Sequence, residues 1–280
     1  MIEYEDIQTG ALRLLYDTCS LLNELNVKYI IVGGWAPFLL NSKPIEHPGT
    51  KDVDVLFDGA YEKGKLKEVI DAFLENEFIL SAKHDFQLFK LINVLGREFI
   101  YNIDLLHPLE TTNPQNLYVE HIDLKIPANK YRRRNFMMKS IALPSSQILF
   151  DNDIFFNYNL KITAQDGIEL NQNVPLMGEL GTLITKSSSV SVKKRYRDSL
   201  DIFLTISQST DLTALINSTN RLRKSSIMDY NTLYNIKQAF DDDLLWNNTL
   251  KFIPELNKSE FICVFESFFK NTGLDKKATS

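Results

Sequence analysis

Lys51-Asp52-Val53-Asp54-Val55-Leu56-Phe57 carries the pattern on which the fold turns. Residues two apart in a strand share a face, so an extended reading puts Asp52 and Asp54 together. It sends Val53, Val55 and Phe57 the other way, into a core. On ordinary strand rise the two aspartates stand about 7 Å apart at Cα. Like charges on one face repel, and a divalent cation resolves the repulsion. Magnesium suits such a site because it prefers hard oxygen ligands and keeps waters that substrate phosphates can replace. A second lone acid lies in Tyr101-Asn102-Ile103-Asp104-Leu105-Leu106, also an apolar strand pattern. If the two strands are neighbours, Asp104 joins Asp52 and Asp54 as a third metal-binding carboxylate. Two magnesium ions there would serve the attacking and leaving ends of a phosphoryl transfer.

Upstream, Lys28–Val32 reads as a buried strand that runs into Gly33-Gly34, and Trp35–Leu40 as a short helix. Glycines at that turn let backbone approach a ligand closely, and a helix start offers N–H groups to phosphate. Residues 41–50 contain Pro44, Pro48 and Gly49 and read as a loop. A helix is expected over residues 6–25, with Leu12, Leu15, Tyr16, Cys19, Leu22 and Leu25 on its stripe, and another over Tyr61–Leu74. Further strands are expected at Phe86–Asn93 and Glu98–Leu106, then short strands and loops over 117–170. From Pro175 helical periodicity takes over, through Leu176–Lys186, Val192–Ser207, Met228–Ala239, Leu244–Ile253 and Glu260–Phe269. The last ten residues read as a frayed tail. The expected fold class is α+β: a mixed sheet flanked by helices over residues 1–172, then a helical domain over 173–280.

Composition narrows the function. The net charge of −5 argues against a general coat protein for duplex DNA. Basic clusters at Lys130–Arg134 and Lys193–Arg197 read, taken alone, as solvated charge runs. The acidic start MIEYEDIQ lacks a secretory pattern, and the longest nearly apolar run, Tyr29–Leu40, is too short to span a bilayer. The two cysteines, Cys19 and Cys263, sit in apolar helical patterns and make no disulfide framework. A cytoplasmic protein without a membrane partner is expected. His47, His84, His107 and His121 form no zinc-type spacing, and His47 reads as an ordinary loop histidine. The aromatic-rich end, with Trp246, Phe252, Phe261, Phe265, Phe268 and Phe269, reads as core.

Val32-Gly33-Gly34-Trp35 followed by Thr50-Lys51-Asp52-Val53-Asp54-Val55 resembles the signature of the polymerase-β-like nucleotidyltransferase superfamily. In that pattern an apolar residue and two small residues precede a short helix and an Asp-apolar-Asp triplet. Asp104 matches the family's third carboxylate. The 17 residues between Gly34 and Asp52 exceed the usual spacing, which leaves loop 41–50 without a counterpart. A second stretch, Leu183-Ile184-Thr185-Lys186 with Lys194-Arg195-Tyr196-Arg197-Asp198-Ser199-Leu200-Asp201, resembles the C-terminal motif of AbiEii-type proteins, nucleotidyltransferases of abortive-infection and toxin–antitoxin systems. The resemblance implies that Gly33, Gly34, Lys186 and Asp198 bind the nucleotide. Lys186 would hold a β- or γ-phosphate as a point charge. Lys194 and Asp198, like Arg197 and Asp201, are four apart and can meet on a helix whose buried stripe is Val192, Tyr196, Leu200 and Phe203.

The expected activity is magnesium-dependent transfer of a nucleoside monophosphate from an NTP to an acceptor hydroxyl. The AbiEii resemblance implies an RNA 3′ end, such as that of tRNA, and an antitoxin protein as partner; a small-molecule acceptor suits the acidic charge equally well. A non-catalytic protein that senses nucleotide or a partner with the same fold is the rival, against which the intact Asp52, Asp54 and Asp104 speak.

Overall fold

The computed structural model describes residues 6–59, 64–110, 117–123, 135–163 and 167–277. Helix α1 (Ile7–Glu24) starts where Asp6 accepts from the backbone N–H of Thr9 at 2.6 Å and the Thr9 hydroxyl accepts from the Asp6 N–H in return. That reciprocal cap satisfies two of the donors a helix start leaves open. Strand β1 (Tyr29–Val32) follows, then α2 (Trp35–Leu40), β2 (Val53–Phe57) and α3 (Lys65–Glu75). Next come β3 (Ile79–Leu80), β4 (Gln87–Val94), β5 (Arg97–Pro108), β6 (Tyr118–Asp123), β7 (Asn135–Lys139) and β8 (Ile141–Leu143). After α4 (Gln147–Asp151), β9 (Phe155–Thr163) and β10 (Glu169–Met177), the remainder is helical: α5 (Glu179–Ser187), α6 (Arg197–Ser207), α7 (Leu212–Ser225), α8 (Ile227–Asp241), α9 (Leu244–Thr249) and α10 (Lys258–Thr272).

Among the described residues eight strands form one open mixed sheet in the order β3-β4-β5-β2-β1-β10-β9, with β8 beside β5, while β6 and β7 pair separately. β1 and β2 are antiparallel, β2 and β5 parallel, β5 and β4 antiparallel. A mixed sheet with flanking helices and a run of C-terminal helices is the fold class expected from the sequence.

The chain divides into two compact units that interleave in sequence. The first comprises Met1–Val32, Thr50–Leu143 and Asn157–Leu176, and the second Gly33–Gly49, Pro144–Phe156 and Met177–Ser280. The chain enters the second unit for the last time at Met177. In the first unit α1 packs on β4 and β5, and α3 on α1 and β3. The close approach is made at Gly10: a Cβ there would meet the Tyr101 ring, whose hydroxyl donates to the Ile7 carbonyl at 2.9 Å. Tyr101 therefore faces α1, and by strand alternation Asn102 and Asp104 face away from it.

The second unit is built around α5 and α6, each buried over nearly its whole length, the mark of central helices. Phe203, Phe240, Phe261, Phe265, Phe269 and Trp246 form a connected aromatic cluster beside them, so the aromatic end is core. Several expected bounds move. Leu176 lies in β10 rather than opening a helix, and α7 was not anticipated because its stripe is polar-rich, burying only Leu215, Thr219 and Leu222. The tail is ordered through the described residues: Gly273 adopts φ 70°, ends α10, and folds Leu274 back into full burial. No helix among the described residues is long and apolar enough to cross a membrane. Cys19 and Cys263 are free, and burial pushes the Cys19 thiol up to about 12 against a smaller lowering by the Tyr29 hydrogen bond.

Candidate functional site

Register creates the first cluster. Asp54 on β2 stands opposite Asp104 on the parallel strand β5, and Gln87 on β4 stands opposite Asp104 from the other side. Neighbouring strands lie about 4.8 Å apart, so Asp54 and Asp104 present carboxylates side by side on the face turned away from α1. Val53, Val55 and Phe57 are fully buried on the opposite side, as the alternation predicts. Gln87 donates to Asp104 Oδ1 at 2.8 Å, and Asn102 donates to Asp52 Oδ1 at 3.2 Å. Asp52 precedes β2 in irregular backbone. Among the described residues no group of three or more His, Cys, Asp or Glu side chains is gathered as a metal centre. The structure thus brings Asp54 and Asp104 together and ties Asp52 to Asn102. Two adjacent hard-oxygen donors suit magnesium, which commonly takes one or two carboxylates and completes its shell with water and phosphate.

In the chain, β1 leads directly into Gly33, whose φ of 78° favours a residue without Cβ, and Gly34 caps α2 without a side-chain hydrogen bond.

The second cluster lies within the second unit. Lys186 on α5 donates to Asp198 Oδ1 at 2.9 Å and lies 2.8 Å from Asp201 Oδ2. The Ser189 hydroxyl donates to Asp198 Oδ2 at 2.7 Å. His47 Nε2 lies 3.0 Å from Asp201 Oδ1, with both side chains at 0% exposure. The Arg197 guanidinium donates to the Gly49 carbonyl, and its Nη2 sits 3.1 Å from His47 Nε2 and 3.4 Å from Nδ1. Two cations and two carboxylates balance, so a neutral His47 leaves the buried group without net charge. Burial holds the His47 pKa below its usual value, outweighing Asp201. We assign its proton to Nε2, toward Asp201, leaving Nδ1 as acceptor. Burial alone would raise Asp201, but the Lys186 ammonium and His47 hold it at about 2. Burial likewise works against the Lys186 charge, yet Asp201 and Asp198 raise its pKa above the ordinary lysine range.

Three expectations change here. Helix α6 begins only at Arg197, so Val192 and Tyr196 are 52% and 45% exposed and leave the buried stripe to Leu200 and Phe203. Lys194 lies exposed before the helix, and Asp198 turns inward to Lys186 instead of meeting it along a helix. His47 is no ordinary loop histidine. Loop 41–50 is pinned to the second unit: Gln208 donates to the Asn41 and Ile45 carbonyls at 2.6 and 3.0 Å and accepts from the Ile45 N–H at 2.6 Å. The sequence does contain a signal for this. Asp198 and Asp201 both belong to a largely apolar helix, and two buried carboxylates call for more positive or hydrogen-bonding partners than Lys186 alone. The basic cluster Lys130–Arg134 lies outside the described residues.

No family model matches the chain, and no curated protein matches its sequence. Among solved structures it is similar to an antigenic nucleotidyltransferase-like protein from Paracoccidioides brasiliensis, at 16% identity and a TM-score of 0.34, over 80% of this chain and 93% of that one. Likeness at that level carries no argument about activity, which has to be read from the chain's own residues.

Proposed function

We propose that the chain is a magnesium-dependent nucleotidyltransferase of the polymerase-β-like kind that moves a nucleoside monophosphate from an NTP to an acceptor hydroxyl. The observation that carries this reading is the register of Asp54 with Asp104 on one sheet face, two residues after Asp52 and downstream in the chain of the diglycine turn. Magnesium, when bound, would supply Lewis acidity to the phosphoryl transfer. Asp54 and Asp104 would hold the metal, with Asp52 as the third carboxylate; Gln87 and Asn102 orient Asp104 and Asp52 through their amide donors. Gly33 and Gly34 leave room for the nucleotide against backbone. Lys186, with Asp198 fixing it, uses one ammonium N–H on a polyphosphate oxygen.

The AbiEii-like motif supports an RNA 3′ end, tRNA foremost, as acceptor, and a toxin or phage-defence setting with a protein antitoxin. The test is incubation of purified protein with Mg²⁺, each of four α-labelled NTPs in turn and total tRNA, beside an Asp54→Asn control. Label on RNA with the wild type alone supports the whole reading. Label on neither RNA nor a panel of hydroxylated small molecules, with NTP binding retained, would reduce the protein to a nucleotide sensor.

A further inference from the structure

Loop 41–50 has no counterpart in the sequence pattern that surrounds it, and it carries a histidine into the interior of the second unit. The contacts form one chain. His47 meets Asp201 Oδ1 at 3.0 Å, Asp201 Oδ2 lies 2.8 Å from Lys186, Lys186 donates to Asp198 at 2.9 Å, and Ser189 closes the far end on Asp198 at 2.7 Å. Asp201 turns Oδ1 to His47 and Oδ2 to Lys186, with Arg197 Nε standing farther from Oδ1 at 3.9 Å. His47 is thus the group within hydrogen-bond reach of Oδ1, and without its donor the rotation of that carboxylate, one of the two anchors of the Lys186 ammonium, is held only by the longer Arg197 contact. An ammonium has three N–H groups. Asp198 accepts from one of them, and the Asp201 carboxylate holds the ammonium from a second side as an ion pair at 2.8 Å, so the two carboxylates together set where the remaining donors point. Histidine suits this place because a neutral ring supplies a donor to Asp201 without adding a charge to a balanced group.

We infer that His47 is a positioning residue that acts through Asp201 to aim the Lys186 ammonium at a polyphosphate anion, and that loop 41–50 is the strap that delivers it. The inference deepens the reading of Lys186 given above and rests on it. Further contacts hold the strap itself: Gln208 on Asn41 and on both the N–H and the carbonyl of Ile45, and Arg197 on the Gly49 carbonyl. Asn41 also donates to Glu179 at 2.8 Å, which ties the start of the strap to the first turn of α5, the helix that bears Lys186.

Two readouts on the full chain test this. The first is the ¹H–¹⁵N spectrum of lysine ammonium groups in ¹⁵N-lysine-labelled protein, with the Lys186 signal identified by its loss in Lys186→Met. The second is the affinity for inorganic tripolyphosphate, measured calorimetrically at a temperature where every variant is fully folded. His47→Leu should broaden or shift the Lys186 signal and weaken tripolyphosphate by about tenfold, the equivalent of about 1.4 kcal/mol. His47→Gln, whose amide restores a neutral donor, should return both. Should His47→Leu fail to fold, His47→Met, which also lacks a donor but fills the space with a flexible chain, replaces it. An unchanged Lys186 signal in the variant that lacks the donor overturns the positioning role whatever the affinity does. A displaced Lys186 signal together with equal tripolyphosphate binding by wild type and Lys186→Met would instead overturn the phosphate reading of Lys186, and the inference with it. Equal losses in His47→Leu and His47→Gln would mark a packing role alone.

Discussion

Replacing Lys186 by methionine keeps the length of the side chain and removes its charge. What remains is a pair of carboxylates, Asp198 and Asp201, with side chains 3% and 0% exposed. Removing one partner of a buried ion pair costs about 3–5 kcal/mol, because the other charge stays desolvated. The Asp201 pKa gives an independent scale. It is held at about 2 against an ordinary 3.8, a difference equivalent to about 2–3 kcal/mol at neutral pH. That stabilisation is present above 3.8 and is lost as pH falls through about 2. Without Lys186, burial dominates and the Asp201 carboxyl moves above its ordinary value. Its contribution then changes sign: the variant gains stability relative to wild type as acid protonates the carboxyl. Urea unfolding read by tryptophan fluorescence isolates this unit, since both tryptophans of the chain, Trp35 and Trp246, belong to it. With a slope of about 2 kcal/mol per M, Lys186→Met should lower the midpoint by about 2 M urea at about pH 7.5, and by clearly less near pH 5. A double variant with Asp201→Asn should recover part of the loss. A midpoint unchanged at the higher pH, or a deficit that grows on acidification, would refute the electrostatic account of this cluster.

Asp54→Asn and Asp104→Asn should each reduce nucleotidyl transfer at least about a thousandfold, with circular dichroism and the urea midpoint unchanged; full activity in either sinks the carboxylate site. His47 has a lowered pKa in the folded chain, so the unfolded state takes up its proton first. Stability of the second unit should therefore fall as pH drops below about 6.5, and the tryptophan-detected midpoint of His47→Gln should lose that part of the pH dependence. Gly10→Ala drives a Cβ into the Tyr101 ring and its bond to the Ile7 carbonyl, which should cost about 1–3 kcal/mol in the first unit, measurable as a lower thermal midpoint by circular dichroism.

Local pattern made much of this legible. The alternation through Lys51–Phe57 was enough to place Val53, Val55 and Phe57 inside and Asp54 outside, because side-chain direction in a strand is fixed by backbone geometry alone. The helical half was legible for the same reason at a period of about 3.6. Its details were not: α6 starts at Arg197 and sheds Val192 and Tyr196 from its stripe, since the preceding residues form turns whose hydrogen bonds, such as Arg195 N–H to the Val192 carbonyl, are local and carry no periodic signal.

By itself, then, the chain's sequence determined that Val53–Phe57 is a strand and which of its faces carries Asp54, and that a diglycine turn and a conspicuous Lys186 accompany it. Strand order and register were decided only in three dimensions, because pairing Asp54 with Asp104 depends on hydrogen bonding between segments about fifty residues apart. The role of His47 was decided there too. A loop histidine becomes a buried partner of Asp201 only when helix packing creates a desolvated carboxylate that a neutral donor satisfies, and no spacing along the chain encodes that contact.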